Sequence, residues 1–476
     1  MSQVAWRLFA AAGVVWASAV SAQAQAPANF QHIVFIVQEN RTPDDLFYAL
    51  CAAHACNAVG DNKTYDIQTS NWLDKHSKSG VTQPLPIALA NDYKVKHSHG
   101  DFLAMCDLDP DSHACRMDGA GDVNCTPRKQ CPDKAQFRYV DNSDGTLDPY
   151  LALAAQYGWA NQMYQTNQGP SFPAHQYLFG ATSAPSKTDD HRGTFAAENL
   201  SDPINGCIAD PASRIQLIDA NGVEDPDNKI FPCFEHRTIG DLLDRVNVSW
   251  RYYTPGAGDL WSAPDAIAHI CKPVSGTCTG AEWRKHLDLD PADALRDIGK
   301  CKLSGVSWII PTAANSDHAG TNDGGGPSWV ASIVNAIGNS PCANPDGSSY
   351  WNSTAIVLTW DDWGGWYDHE KPTFLGYPQG GYQYGFRVPL IFISAYTPAG
   401  YINNNLQEFG SVARFVEYNY AIPEGALTFA DARTTRNLHQ FYDLTAAPRA
   451  YKTIPAKKDA NFFLHDTRPL EAPDEE

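Results

Sequence analysis

Short, mostly apolar runs recur along this chain and alternate with amphipathic stretches. The first run covers residues 33–37 (IVFIV), and later runs cover residues 306–311, 354–360 and 388–394. A short run without polar positions is typical of a strand that is covered on both faces. Strands of this kind that alternate with amphipathic helices build a mostly parallel sheet with helices on both sides. The sequence therefore predicts an α/β fold, a three-layer α/β/α sandwich.

Helix signals stand between these runs. Asp148 is a suitable N-cap, and Pro149 suits the first helical position. Thr238 is a second suitable N-cap, and a strand-like stretch at residues 248–254 follows its helix. Gly338 is a suitable C-terminal cap. The helices are predicted at residues 149–160, 238–246, 328–338 and 411–421.

The first residues have the pattern of a signal peptide, residues 1–22. Arg7 supplies positive charge, residues 8–20 are apolar, and small residues near Ala22 suit cleavage. The apolar stretch is short for a membrane span, and no later stretch reaches the roughly 18 apolar residues that a span requires. We expect a soluble protein that is secreted or periplasmic, with an uncleaved N-terminal anchor as the alternative. No stable membrane insertion is expected.

Twelve cysteines fit an exported chain, in which an even number favours disulfides. The loop-rich residues 49–145 hold six of them, which predicts a disulfide-bearing insertion. Spacing cannot settle the connectivity, but three pairs each lie within one loop-like stretch: Cys51–Cys56, Cys125–Cys131 and Cys271–Cys278. A structural zinc cluster is the alternative, although no CxxC pair is present.

No internal repeat or clean linker divides the chain, so we expect one large domain at residues 27–450 and a C-terminal extension at residues 451–476. The formal net charge of -19 argues against a nucleic-acid partner, because binding to phosphate backbones requires a basic face.

Oxygen ligands follow two of the predicted strands. Glu39 and Asn40 follow the first apolar run, and Asp361 and Asp362 follow the run at residues 354–360. Ligands bind beyond the carboxyl ends of the strands in open α/β sheets, so these side chains are expected to meet at one edge. An all-oxygen set suits a hard divalent cation such as calcium or magnesium. Each carboxylate taken alone would be as well explained by a helix cap or a surface ion pair.

Histidines follow the strand ends as well. His318 follows Asp317 in SDHAGTNDGGGPSW, and His369 follows Asp368 after a Gly-Gly bend. Both are candidates for contacts to a substrate, and histidine would widen the choice of metal towards zinc or iron.

Ser171 is a candidate nucleophile in NQGPSFPAHQYLFGATS. It follows a Gly-Pro turn and precedes a helix predicted from Pro173, so it would lie among the unpaired N–H groups that bind phosphate. A nearby metal ion would activate its hydroxyl. Thr42 is the rival nucleophile beside Glu39, although Pro43 after it suits a plain helix cap. An N-cap role is the plain alternative for Ser171 as well.

These segments together resemble the bacterial phosphoesterase family that contains phospholipases C and acid phosphatases, related to the alkaline phosphatase superfamily. HIVFIVQENRTPDDLF resembles its opening motif, and NQGPSFPAHQYLFGATS resembles its nucleophile segment. SDHAGTNDGGGPSWVASIVNAI and VLTWDDWGGWYDH resemble two further motifs, and YKVKHSHGDF resembles its histidine-bearing stretch. The motifs stand in order over residues 30–445.

The resemblance implies an alkaline phosphatase-like fold and a set of site residues. Ser171 would be the nucleophile, and His97, His318 and His369 would lie at the phosphoryl or leaving group, with His99 competing with His97. One divalent metal ion of unknown identity would be held by Glu39, Asn40, Ser171, Asp361 and Asp362.

Two departures from the family pattern stand out. Many relatives have glutamate at the position of Asp362, so the ligand is shorter here. The usual Ser-Phe-Asp-His after Glu-Asn-Arg is replaced by residues 42–45, TPDD.

The function that the resemblance implies is metal-dependent hydrolysis of phosphate esters through a phosphoserine. The substrate would be a small phosphomonoester or a phospholipid headgroup, and sequence does not separate an acid phosphatase from a phospholipase C. Aromatic residues near Trp363 would line a pocket, cage a choline or pack in the core. A non-enzymatic calcium- or glycan-binding protein is the alternative from a different class.

Overall fold

The computed structural model describes residues 29–56, 63–372 and 384–470. The predicted signal peptide lies outside these residues. Within them, the central sheet has eight strands, numbered along the chain. They are β1 His32–Gln38, β2 Gly158–Ala160, β3 Trp250–Tyr253, β4 Leu287–Asp288, β5 Val306–Ile309, β6 Thr354–Trp360, β7 Leu390–Ser394 and β8 Tyr401–Asn403.

The sheet is mostly parallel, as predicted. Its strand order is β4-β3-β5-β1-β6-β7-β2-β8, and β7 is the strand that runs against its two neighbours. β1 lies between β5 and β6 and pairs with both in parallel. All seven of its residues are buried, as its apolar sequence requires.

Fourteen α-helices or single helical turns accompany the sheet in the described ranges. They are α1 Pro43–Leu46, α2 His99–Cys106, α3 Asp148–Gln156, α4 Ser171–Gly180, α5 Lys187–Arg192, α6 Ile239–Arg245, α7 Ala268–Cys271, α8 Ala281–His286, α9 Asp293–Gly299, α10 Gly326–Gly338, α11 Tyr350–Ser353, α12 Phe409–Asn419, α13 Ala430–Arg433 and α14 Ala460–Leu464.

Helices cover both faces of the sheet. Successive side chains of a strand point to opposite faces, so Phe35 and Gln38 lie on different sides of β1. On the Phe35 side, Trp308 of β5 packs on Phe179 of α4, with ring centroids 5.3 Å apart. On the other side, Trp360 is paired with Gln38 and packs on Tyr150 of α3 at 5.2 Å. This arrangement confirms the predicted three-layer α/β/α sandwich.

All twelve cysteines form disulfides, and the three predicted local pairs are among them. The others are Cys106–Cys115, Cys207–Cys233 and Cys301–Cys342. This pairing excludes a zinc cluster built on cysteine. The six cysteines of residues 49–145 pair with one another, and the insertion contributes to a second apolar cluster that includes Trp72 and Phe102. Short strand pairs support it, such as Trp72–Leu73 with Val81–Thr82.

The end of α3 and the C-terminal cap of α10 differ from the prediction. α3 begins after Leu147 and stops at Gln156, because Gly158–Ala160 leaves the helix to pair with β7 and β8. A side chain at Gly158 would collide with Phe441, so this strand is closely packed. Gly338 is the last helical residue of α10 rather than its cap, and Asn339 takes the capping position.

The segment after residue 450 is part of the folded body. Ile454 is buried, and its N–H donates to Asn335 of α10 at 2.8 Å. Phe463 of α14 packs on Trp329 of α10 with ring centroids 5.2 Å apart. The domain boundaries that the sequence suggested stay a prediction. No helix within the described residues is both long and apolar enough to span a membrane.

Candidate active site

The ends of β1 and β6 bring the first predicted ligands together. Gln38 is paired with Trp360, so Glu39 and Asp361 leave the sheet side by side. The Asp361 N–H donates to the Gln38 carbonyl at 3.0 Å, and the Asn40 N–H donates to Asp361 Oδ1 at 3.0 Å. These carboxylates are fully buried, which a surface role would not produce.

A Gly-Gly bend closes this loop pair. Asn40 has a left-handed backbone with φ of 62°, and Gly364 and Gly365 have positive φ as well. A side chain at Gly364 would collide with the Asn40 carbonyl, and one at Gly365 would collide with the Lys96 carbonyl. Both positions therefore require glycine, because a neighbouring carbonyl occupies the space that a Cβ atom would need.

Helix α4 presents Ser171 to the carboxylates. Ser171 is its first residue, so the helix begins two residues earlier than predicted. The hydroxyl donates to Asp362 Oδ2 at 3.0 Å, and Gly364 N–H donates to the other oxygen, Oδ1, at 2.7 Å. Ser171 is 1% exposed. The structure thus places the candidate nucleophile at the metal-ligand cluster, some 130 positions after Glu39 in the sequence.

His175 also belongs to this site and was not predicted. It lies one helical turn after Ser171, and its Nε2 is 3.1 Å from Glu39 Oε1 and 3.7 Å from Asp361 Oδ2. Residues four apart share one face of a helix, so the spacing of Ser171 and His175 was a signal that sequence reasoning passed over. Burial lowers the pKa of His175 to about 4, although the negative charge of Asp361 acts to raise it. The ring is therefore neutral near pH 7.

The residues present fit a divalent cation. Glu39 Oε2, Asn40 Oδ1 and Asp361 Oδ2 are buried and make no hydrogen bond within the described part of the chain. Burial first, and then the charge of Asp361, raise the pKa of Glu39 well above its usual value. Unpaired buried oxygens and crowded carboxylates are both costly, and a hard cation would relieve both. The metal set stays a prediction.

Two predicted histidines lie beside this cluster. His97 Nδ1 donates to the Val95 carbonyl at 3.1 Å, and its Nε2 lies 2.8 Å from Asn40 Nδ2. His318 is 3% exposed, and its ring centroid is 6.3 Å from that of His97. His99 points elsewhere, with its Nδ1 3.0 Å from the Gln168 carbonyl. Of the two competing residues, the structure brings His97 to the metal ligands.

His369 lies in a different cluster. Its Nδ1 is 2.8 Å from Asp44 Oδ2, and its Nε2 is 3.2 Å from Asp66 Oδ1. Arg387 is buried in the same cluster and pairs with Asp66 and Asp368. The Asp-His pair that suggested a role at the phosphoryl group is here part of a buried ion-pair network. Among the described residues, those that contact His369 do not include Ser171 or the predicted metal ligands.

This network makes a prediction about pH. Burial opposes a charged imidazole, but Asp44 and Asp66 outweigh it and raise the pKa of His369 to about 10. Glu370 adds a negative neighbour, and Arg387 adds a positive one. A folded-state pKa above the unfolded value of about 6.5 means that the stabilisation is complete below pH 6.5 and is lost as pH rises towards 10.

We therefore expect His369→Leu to lower the free energy of unfolding by about 3 kcal/mol at pH 6, since it leaves buried carboxylates without their partner. The deficit should shrink steadily by pH 9.5. Urea unfolding at both pH values would measure it, with the exposed His465→Leu as the matched control. An equal deficit at the two pH values would contradict a charged His369.

The residues beside Glu39 have structural roles. Thr42 is the N-cap of α1, because its Oγ accepts from the Asp45 N–H at 3.2 Å and donates to the Tyr367 carbonyl at 2.8 Å. Arg41 is buried, pairs with Asp45 and donates to the Asp317 carbonyl at 3.0 Å. Neither contacts the unpaired oxygens of the site.

The aromatic residues after β6 pack in the core. Trp360 donates to Asp317 Oδ2 at 2.9 Å and packs on Tyr150. Trp363 and Trp366 are fully buried, and Tyr367 is stacked on Trp72. These four side chains are 0% exposed, so they do not form the headgroup cage that the sequence offered as one alternative.

Comparison with known proteins gives consistent matches. A family model described as "Phosphoesterase family" matches residues 30–423. The chain is 23% identical over 418 residues to a hemolytic phospholipase C of Pseudomonas aeruginosa, covering 83% of this chain and 53% of that protein. It is 23% identical over 439 residues to phospholipase C A of Mycobacterium tuberculosis, covering 84% and 74%.

The chain thus spans about half the length of the Pseudomonas relative. Among solved structures, it is similar to a protein in the alkaline phosphatase superfamily from Vibrio parahaemolyticus. That similarity covers 58% of this chain and 60% of the other, with a TM-score of 0.31 and 10% identity.

Proposed function

We infer that this chain, which belongs to the phosphoesterase family, is an exported, metal-dependent phosphoric ester hydrolase that works through a phosphoserine at Ser171. The observation that carries the proposal is the convergence of Ser171 with three buried, unpaired oxygen atoms from Glu39, Asn40 and Asp361. A nucleophile that is buried among potential metal ligands is the arrangement that phosphoryl transfer requires.

The cation, when bound, would lower the pKa of the serine hydroxyl and neutralise charge on the phosphoryl oxygens. Ser171 gives its proton to Asp362 Oδ2, the atom to which it already donates at 3.0 Å. Its Oγ then forms a bond to phosphorus while the ester P–O bond breaks. The departing oxygen takes a proton from a histidine or from water, which yields the free alcohol.

The second half-reaction restores the enzyme. Water attacks the phosphoserine and gives a proton to the group that had protonated the departing oxygen. The Oγ–P bond breaks, Ser171 takes back the proton held by Asp362, and phosphate or its monoester leaves. His97 and His318 are the histidines that stand at the site for contacts to phosphoryl oxygens or the leaving group. His97 also holds Asn40 through the 2.8 Å contact to its amide nitrogen.

Export rests on the disulfides and on the predicted signal peptide. Six disulfides persist only in an oxidising compartment, so we propose that the chain is secreted or periplasmic. We do not retain the non-enzymatic binding protein, because it gives no reason for Ser171 to lie among the ligands.

Phospholipase C activity is the favoured form, since the named relatives are phospholipases C. An acid phosphatase is the second form. We expect the purified protein to hydrolyse p-nitrophenylphosphorylcholine, to lose this activity in EDTA and to regain it with an added divalent cation. Hydrolysis of p-nitrophenyl phosphate alone would identify a phosphomonoesterase. Hydrolysis of neither compound, with metal supplied, would contradict the proposed function.

A further inference from the structure

His175 contacts one oxygen of Glu39 and leaves the other unpaired. Its Nε2 is 3.1 Å from Oε1, while Oε2 makes no hydrogen bond in the described residues. We propose that His175 is a positioning residue: it donates Nε2–H to Oε1 and thereby turns Oε2 towards the metal ion. The inference rests on the proposed metal-dependent function, and it assigns a residue outside the ligand set that the family resemblance implied.

The surroundings of His175 favour one tautomer of its imidazole ring. His175 is 1% exposed, and its Nδ1 has no hydrogen-bond partner in the part of the chain that the structure describes. A proton on Nδ1 would be a buried donor without an acceptor, which is costly. The geometry therefore favours a proton on Nε2, where Glu39 Oε1 lies 3.1 Å away and accepts it.

This tautomer also decides against binding of the metal through Nε2 of His175, the ring nitrogen that faces Glu39 and Asp361. A nitrogen that carries a proton has no lone pair for a cation. Binding through Nε2 would force the proton to Nδ1, the position without an acceptor. Protein carboxylates that bind metals are commonly held by hydrogen bonds from outside the ligand set, and His175 would supply that hold here.

The neighbouring ligands repeat the pattern. Asn40 Nδ2 lies 2.8 Å from His97 Nε2, and Asn40 Oδ1 is unpaired. Asp361 Oδ1 accepts the Asn40 N–H, and Asp361 Oδ2 is unpaired. Each of the three side chains thus has one polar atom tied down and one left over. His175 holds the second oxygen of Glu39 in the same way. The three atoms left for the cation would be Glu39 Oε2, Asn40 Oδ1 and Asp361 Oδ2.

The test compares His175→Leu with His175→Gln. Glutamine places an amide N–H where the imidazole has Nε2–H, whereas leucine removes the donor. We expect leucine to weaken Mn²⁺ binding by about 10- to 100-fold, since loss of a hydrogen bond to a metal ligand has effects of this size. Glutamine should change the affinity by about threefold or less, because it keeps the donor. Titration calorimetry on metal-stripped protein would measure the affinity.

Gln176→Leu is the matched control. Gln176 is the next residue of α4, is 1% exposed, and donates to the Ala263 carbonyl rather than to a metal ligand. Its loss should leave the Mn²⁺ affinity within about threefold. Equal affinities for wild type and His175→Leu would overturn the inference.

A spectroscopic measurement separates positioning from ligation and does not depend on the leucine variant folding. Electron spin echo modulation detects nitrogen atoms that are bound directly to Mn²⁺. We expect the same nitrogen signals from Mn²⁺-loaded wild type and His175→Gln, because His175 is not a ligand. Such a signal, lost in His175→Gln, would make His175 a ligand and overturn the positioning role. Failure of the proposed function gives a different result: wild type itself would bind no divalent cation, or EDTA would not affect hydrolysis.

Discussion

Ser171→Ala is expected to lower kcat by about 10⁴-fold or more while the protein remains folded and keeps its metal affinity. The hydroxyl is the group that would form the covalent bond to phosphorus, and alanine offers no replacement. The three unpaired oxygens belong to Glu39, Asn40 and Asp361, so their set survives the substitution. Binding of substrate should persist, and the loss should appear in kcat rather than in KM.

The measurement pairs steady-state kinetics with acid quenching. Quenched wild type should carry a phosphoryl group on the peptide that contains Ser171, and Ser171→Ala should carry none. Thr42→Val is the matched control, because Thr42 was the rival nucleophile and its hydroxyl caps α1. It should cost about 1 kcal/mol of stability and leave kcat within a few-fold. Near-wild-type turnover by Ser171→Ala would show that another residue is the nucleophile.

Asp361→Asn is expected to weaken binding of the divalent cation by about 100-fold or more, because affinity of a hard cation follows the number of charged oxygen ligands. The Oδ2 atom of Asp361 is buried and unpaired beside Glu39 and Asn40. Activity should fall with metal content and return partly in excess metal.

Asp317→Asn provides the comparison. Asp317 is also a buried carboxylate beyond a strand end, but one of its oxygens accepts both the Tyr150 hydroxyl and the Trp360 N–H. An amide oxygen can keep both bonds, so this variant should retain its metal. Elemental analysis and titration of both variants would measure the difference. Unchanged metal content in Asp361→Asn would remove Asp361 from the ligand set.

Local patterns were sufficient for the central strands. Residues 33–37 are apolar throughout and residues 354–360 are mostly so, and the structure has β1 and β6 there, buried and paired in parallel. The N-cap predicted at Thr238 is also present, with its hydroxyl bound to the Asp241 N–H. Patterns failed at the end of α3, where pairing of residues 158–160 with β7 overrode a helix-like sequence.

The site shows the same division. Glu39, Asn40, Asp361 and Asp362 stand beside strands whose ends must share an edge, so their meeting could be predicted. The contacts of His369 could not be predicted, because an Asp-His pair after a strand does not reveal that Asp44 and Asp66 lie beside it. His175 was missed although its spacing of four residues from Ser171 puts both on one face of α4; that this face meets Glu39 is shown only by the structure.

By itself, the sequence determined the α/β architecture and the edge at which the predicted ligands gather, because apolar runs and the residues that follow them are local features of the chain. Ser171 became the candidate nucleophile through the family resemblance. Only the tertiary structure decided which histidines reach that edge and which oxygens make no hydrogen bond among the described residues. Those outcomes depend on contacts between segments far apart in the chain, such as His97 with Asn40 and His175 with Glu39, and such contacts leave no local signal. The opening HIVFIVQEN contains two of the predicted ligands, Glu39 and Asn40. The packing of α4 places His175 against Glu39.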